Sequence, residues 1–237
     1  MRSRQPSLKK IISLASGVLV SLQRDTMTSW QCFRFLVGGR KGGLLIACCL
    51  VLFASRAWGQ DGRERAYEDG EDRGPRFVTR VQEETDDVLA AAEFVKTLPY
   101  ADATRVGVMG WSFGGIVSVF AASRSSTFRV VVDQAGAALT WNRSPAMQQA
   151  LKEAAGRLHV PLLGMVAEND QTTESVRAVV KEAEKHKVPA KLIVYPAFTP
   201  HENPSHVAPG HMIFAAEGAH LWEADLKEFL AQYLGKV

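Results

Sequence analysis

An α/β architecture, with a mostly parallel sheet and helices on both faces, is what this sequence predicts, and three observations predict it. After Pro99, short β-branched and apolar runs alternate with longer amphipathic stretches. The spacing of that alternation suits right-handed strand-helix-strand crossovers, which place helices over a parallel sheet. The composition, 46% hydrophobic and 22% charged over 237 residues, is that of an ordinary soluble domain with enough apolar mass for one sizeable core.

The first 59 residues stand apart from this pattern. They hold nine Lys and Arg against the single acid Asp25, together with all three cysteines, Cys32, Cys48 and Cys49. An uninterrupted apolar run from Leu44 to Ala54 follows Arg40-Lys41 and precedes Ala57-Trp58-Gly59, the order of charge, apolar stretch and small residues that marks an export signal cleaved before Gln60. Eleven apolar residues fall short of the roughly 20 that span a membrane, so removal of the leader is expected rather than permanent anchoring. A start at Met27 brings the leader close to the ordinary length of such signals. Membrane contact is then expected only through an uncleaved leader, and the body is expected to be exported to the periplasm or secreted. If the leader does not function, the body stays in the cytoplasm.

Residues 60–76 are strongly charged with little to bury and read as a linker. The body, residues 77–237, is net acidic, with 19 basic and 24 acidic residues after position 59. It has no basic stripe interleaved with aromatics, so nucleic acid is not an expected partner. Lacking cysteine, it has no internal disulfide and no thiolate metal site.

The first helix is expected over Val81 to Leu98, where Val88, Ala91, Ala92 and Val95 recur at helical spacing, with acids early and Lys96 late. Strands are expected at Arg105 to Met109, Phe128 to Asp133, Val160 to Ala167 and Lys191 to Tyr195. Helices fill the intervals at Gly114 to Ala122, Met147 to Leu158, Thr173 to His186 and Glu217 to Leu234.

Between the first of these strands and its helix stands Gly110-Trp111-Ser112-Phe113-Gly114, a G-x-S-x-G turn in the strand-to-helix context that this motif requires. Glycines two before and two after the serine let strand and helix approach, while the turn lifts the hydroxyl above the sheet. The helix that follows aims free N–H groups, the Phe113 amide first, at the place where negative charge develops.

A serine needs an imidazole to take its proton and a carboxylate to orient that imidazole. For the acid, Asp170 ends the strand VPLLGMVAEND on the serine's side of the sheet, where it also qualifies as a helix N-cap; Glu168 and Asp133 are alternatives. For the base, His159 and His186 suit structural positions. His201, His206 and His211 share the loop after the last strand, and His220 lies in the final helical region. His211, after Gly210 and just before the closing helix, is the expected base. The five-residue spacing of His201, His206 and His211 is not that of helical ligand pairs, and neither metal nor cofactor is expected.

With RVGVMGWSFGG, MVAENDQTT and GHMIF followed by LWEADLKEFL in order, the chain from about Gly74 onward resembles the dienelactone hydrolase-like branch of the α/β-hydrolases, whose catalytic core is shared by serine peptidases of the prolyl oligopeptidase type. The resemblance implies a serine hydrolase of ester, lactone or peptide bonds, with a small-molecule ester or short peptide as substrate. Ser112 matches the nucleophile, Asp170 the acid and His211 the base, and Trp222, Asp225 and Phe229 match the closing helix. Founding dienelactone hydrolases carry a cysteine where this chain has Ser112, which favours general esterase chemistry.

Relative to that family the domain is incomplete on its N-terminal side. The early strands, and a His-Gly-Gly type loop giving the second oxyanion N–H, have no counterpart between Gln60 and Ser112. The strand ending at Met109 is thus expected to present an open edge. A truncated or degenerate domain, inactive or acting as a binding module, is the alternative reading.

Overall fold

The computed structural model describes residues 34–39, 44–47, 73–203 and 207–235, and in them the expected alternation is present. Four parallel strands, β3 (Ala101–Trp111), β4 (Phe128–Gln134), β5 (Leu162–Ala167) and β6 (Ala190–Tyr195), lie side by side in chain order. Two further strands, β1 (Arg34–Gly39) and β2 (Leu44–Ala47), precede them, and the sheet order is β2-β1-β3-β4-β5-β6.

Helix α1 (Arg73–Lys96) begins eight residues before the expected Val81, inside the segment read as linker. Its buried stripe of Val81, Val88, Ala92 and Val95 draws the charged N-terminal turns into the same helix. α2 (Phe113–Arg124) is apolar nearly all round, and every residue from Gly114 to Ser123 is buried. α3 (Pro145–Gly156) starts where Ser144 accepts the Met147 N–H at 3.3 Å, with Pro145 in the first turn. In α4 (Glu174–Lys185), Val176, Val179, Val180 and Ala183 form the buried stripe; each valine contributes about 1.5–3 kcal/mol by leaving water. α5 (Ala219–Leu234) closes the chain, burying Trp222, Leu226, Phe229 and Leu230.

The expectation of an open edge on β3 is corrected. β1 pairs antiparallel with β3 from Arg34 opposite Met109 to Gly39 opposite Ala101, and β2 pairs antiparallel with β1. The cause is the ladder itself: β3 runs for eleven residues and its outer N–H and C=O groups need partners, which the RFLVGG segment supplies. Leu44–Ala47, the start of the apolar run read as an export signal, is therefore a strand. The rest of that run, and the expected cleavage point before Gln60, lie outside the described residues. Among the described residues no helix is long and apolar enough to cross a membrane.

The parallel order has one consequence for function. Trp111, Gln134 and Ala167 end three neighbouring strands at the same edge of the sheet, so the segments that follow them converge there.

Candidate active site

The turn between β3 and α2 is strained. Ser112 has φ 59° and ψ −117°, a conformation that costs of order 1–3 kcal/mol in a residue with a side chain. Its backbone is held from both directions: the N–H donates to the Gln134 carbonyl on β4 at 2.8 Å, and the C=O accepts from Gly115 N–H at 3.0 Å and Ile116 N–H at 3.3 Å. Gly110 is glycine for want of room, because a Cβ there would lie 2.3 Å from the backbone of Gly114. Ser112 is half-buried, reachable from outside. Phe113, the first residue of α2, has an N–H with no carbonyl one turn earlier to receive it. Its ring packs on Phe77 of α1 at 5.7 Å between centroids and lies under the Arg80 guanidinium at 5.6 Å.

Beyond β5, Asp170 turns inward. Its N–H bonds back to the Ala167 carbonyl at 3.1 Å, its Oδ1 accepts the Gln171 N–H at 2.7 Å, and its Oδ2 accepts from His211 Nδ1 at 2.9 Å. Both side chains of this pair are removed from solvent, 0% exposed for Asp170 and 3% for His211. The N-cap reading of Asp170 does not hold: the cap of α4 is Thr173, which makes no side-chain capping bond.

His211 lies in a short 3₁₀ segment, Pro209–Phe214, rather than at the start of the closing helix. Gly210 lets this segment press against the acid's loop, since a Cβ there would stand 2.6 Å from the Asp170 nitrogen. The segment is fastened below by the Trp222 indole N–H, which donates to the Ile213 carbonyl at 2.9 Å, and by Phe214 against the Trp222 ring. The His211 imidazole packs on Trp111, the residue before Ser112, at 5.6 Å between ring centroids. The structure thus joins Asp170 to His211 and seats the pair beside the serine turn. Among the described residues Ser112 Oγ makes no hydrogen bond to the imidazole.

The other candidates go elsewhere. Glu168 is engaged elsewhere, its Oε1 accepting the Ala197 N–H at 2.9 Å. Asp133 is buried against Gly136 and Gly115. His159 and His186 are exposed, the latter donating to the Glu182 carbonyl. His201 is exposed and pairs with Glu217 at 2.5 Å, and His220 donates to the Glu217 carbonyl. His206 lies outside the described residues. Among the described residues no three His, Cys, Asp or Glu side chains gather as metal ligands.

One residue that sequence reasoning passed over is Asn169. Its side chain accepts the Phe198 N–H at 3.0 Å and donates to the Phe198 carbonyl at 2.9 Å, clamping the loop that leads to His211. An Asn beside an acid reads only as turn chemistry in one dimension; the clamp depends on a partner 29 residues away. Two N–H donors at the same sheet edge, Trp111 Nε1 and Gln134 Nε2, are buried with no acceptor among the described residues.

A model of the prolyl oligopeptidase family matches residues 79–144, which run from α1 through the serine turn and stop before Asp170 and His211. No curated protein matches the chain. Among solved structures it is similar to a putative dipeptidyl aminopeptidase IV from Bacteroides ovatus, at 25% identity and TM-score 0.50, over 65% of this chain and 23% of that one. It is also similar to dipeptidyl peptidase 4 of Porphyromonas gingivalis, at 22% identity and TM-score 0.49, over 63% of this chain and 22% of that one. A putative dienelactone hydrolase from Klebsiella pneumoniae gives 20% identity and TM-score 0.47, over 63% of this chain and 62% of that one. The chain thus spans less than a quarter of each of the two peptidases and under two thirds of the third. With the parallel sheet, the serine turn and the family match over residues 79–144 in place, the chain carries the α/β-hydrolase fold.

Proposed function

We propose that this chain is a serine hydrolase that cleaves ester, lactone or peptide bonds through an acyl-enzyme. The observation that carries the reading is the buried His211–Asp170 hydrogen bond of 2.9 Å seated on Trp111, next to the strained Ser112. Asp170 holds the Nδ1 proton of His211, which leaves Nε2 free to accept a proton. As Ser112 Oγ attacks the carbonyl carbon, Nε2 takes the hydroxyl proton and then gives it to the departing alcohol or amine. Water, losing a proton to the same nitrogen, attacks the acyl-enzyme, and Ser112 recovers its proton as the acid leaves. The Phe113 N–H is the proposed donor to the oxyanion, supported by its place at the first turn of α2.

The substrates that suit this chemistry are small esters or short peptides. The prolyl oligopeptidase family match over residues 79–144 and the likeness to a putative dipeptidyl aminopeptidase IV support the reaction class. The alternative, a domain that keeps the fold without turnover, is favoured by the lack of a His-Gly-Gly loop in the sequence; one missing oxyanion donor typically lowers turnover by about 100- to 1,000-fold. Hydrolysis of short-chain p-nitrophenyl esters by the full chain, lost in Ser112→Ala and His211→Ala, is the expected result; equal rates in all three proteins would sink the reading. Export through the N-terminal segment is proposed as well, on its charge and apolar pattern, and is tested by the mass of the protein recovered outside the cytoplasm.

A further inference from the structure

The end of β4 holds a carboxyl group for which the proposed triad has no use. Asp133 is fully buried. Its register neighbours are Gly110 on β3 and Gly164 on β5. Gly115 from α2 and Gly136 from its own turn stand so near that a Cβ on either would lie 2.3 Å from Asp133 Oδ1. That oxygen accepts the Gly136 N–H at 2.8 Å, while Oδ2 has no partner among the described residues. No charged or titratable side chain bears on the carboxyl from β3, β5, α2 or the turn; burial opposes its ionisation and the Gly136 N–H alone favours it. Burial wins and pushes the carboxyl up to about 7.

The same turn grips the nucleophile. Gln134, next to Asp133, supplies the carbonyl that receives the Ser112 N–H. Ala135 and Ala137 follow with φ 55° and 59°, the left-handed region that alanine disfavours. The Asp133–Gly136 hydrogen bond closes over Ala135, one residue before Ala137, and Ala135 N–H donates to Met165 O at 2.8 Å on β5.

We propose that Asp133 is a positioning residue, whose buried carboxyl closes the Gly136 turn and so fixes the Gln134 carbonyl that holds the backbone of Ser112. The proposal concerns the geometry of the turn, and only its effect on rate rests on the hydrolase reading. A charge on this carboxyl finds one N–H donor, four glycines and no counter-ion. Relief requires the turn to open toward water, which drags the Gln134 carbonyl and loosens the nucleophile.

Nuclear magnetic resonance on the full chain tests this without relying on turnover. With ¹⁵N-serine labelling, the Ser112 amide is identified by its disappearance in Ser112→Ala, and ¹³C-aspartate labelling reports the Asp133 carboxyl. The expected result is a single-proton step between pH 6 and 8 in both signals of the wild type, with the Ser112 step gone in Asp133→Asn. Fluorophosphonate labelling of the wild type is expected to turn downward above pH 7 while that of Asp133→Asn keeps rising. A Ser112 amide that ignores pH in the wild type, an Asp133 carboxyl that titrates below pH 5, or an equal Ser112 step in both proteins overturns the proposal. If both signals of the wild type step together and no labelling occurs at any pH, the positioning role stands and the hydrolase reading falls.

Discussion

Single side chains carry the chemistry proposed for this site, and two carboxyl groups illustrate how environment shapes the roles proposed for them. In the proposed triad Asp170 fixes the tautomer of His211. Asp170→Asn keeps the shape and inverts the hydrogen bond, so hydrolysis is expected to fall by roughly 10³- to 10⁴-fold with little loss of stability, as measured by ester turnover beside thermal unfolding. Asp133 carries a carboxyl whose burial favours the uncharged form. Its folded pKa is raised from 3.8 to about 7, so between those values the folded chain holds a proton that the unfolded chain has released. Stability is thus full near pH 4 and declines as pH rises toward 7, by about 1.4 kcal/mol per unit at most. Asp133→Asn is expected to remove this share of the decline, read as the unfolding midpoint in urea from pH 4 to 8; an unchanged slope contradicts the assignment. The candidate residues that the structure gathers, with Asp170 bonded to His211 beside the Ser112 turn, were legible in the sequence because each belongs to a local motif: Ser112 between glycines, Asp170 at a strand end, His211 after a glycine. The buried state of Asp133 and the clamp at Asn169 were not, because both depend on residues brought from other strands.

At the scale of elements, the serine turn is a contact between a strand and a helix more than a loop. Gly110 and Gly114 touch through backbone atoms, so the first turn of α2 is set by what β3 leaves unfilled. Gly110→Ala is expected to destabilise by roughly 3 kcal/mol or more, because backbone cannot give way as a flexible side chain does, and to abolish probe labelling of Ser112 even where the protein folds. Calorimetry with labelling at 20 °C or so below the midpoint separates these effects. The four parallel strands and their helices were read from periodicity with ends within a few residues, since buried runs such as LLGMVA and stripes such as Val176, Val179, Val180 and Ala183 are one-dimensional signals. The start of α1 was missed: Arg73–Phe77 carries a glycine, a proline and charges, and helix propensity alone argues against it. The 3₁₀ segment holding His211 was missed for a similar reason, as its shape follows from the Trp222 anchor.

For the whole molecule, the N-terminal strands complete a sheet that would otherwise end at β3. Pairing of Arg34–Gly39 with a strand some 70 residues later has no local signature, and the basic, apolar segment reads equally well as a leader. The two readings make opposite demands on the same residues, because cleavage before Gln60 would carry β1 and β2 away. Residues 60–237 expressed alone are expected to self-associate through the bared edge of β3, whereas the full chain stays monomeric at the same concentration. Light scattering during size-exclusion chromatography decides this, and a monomeric short form would show that β1 is dispensable.

The account as a whole turns on whether the His211–Asp170 pair activates Ser112. Intact-mass and peptide-level mass spectrometry of the full chain after exposure to a fluorophosphonate measures that directly. A single adduct on Ser112, absent in His211→Ala and in the heat-unfolded protein, is the predicted result. A folded protein that takes up no adduct, or takes it up as readily without His211, would contradict the account.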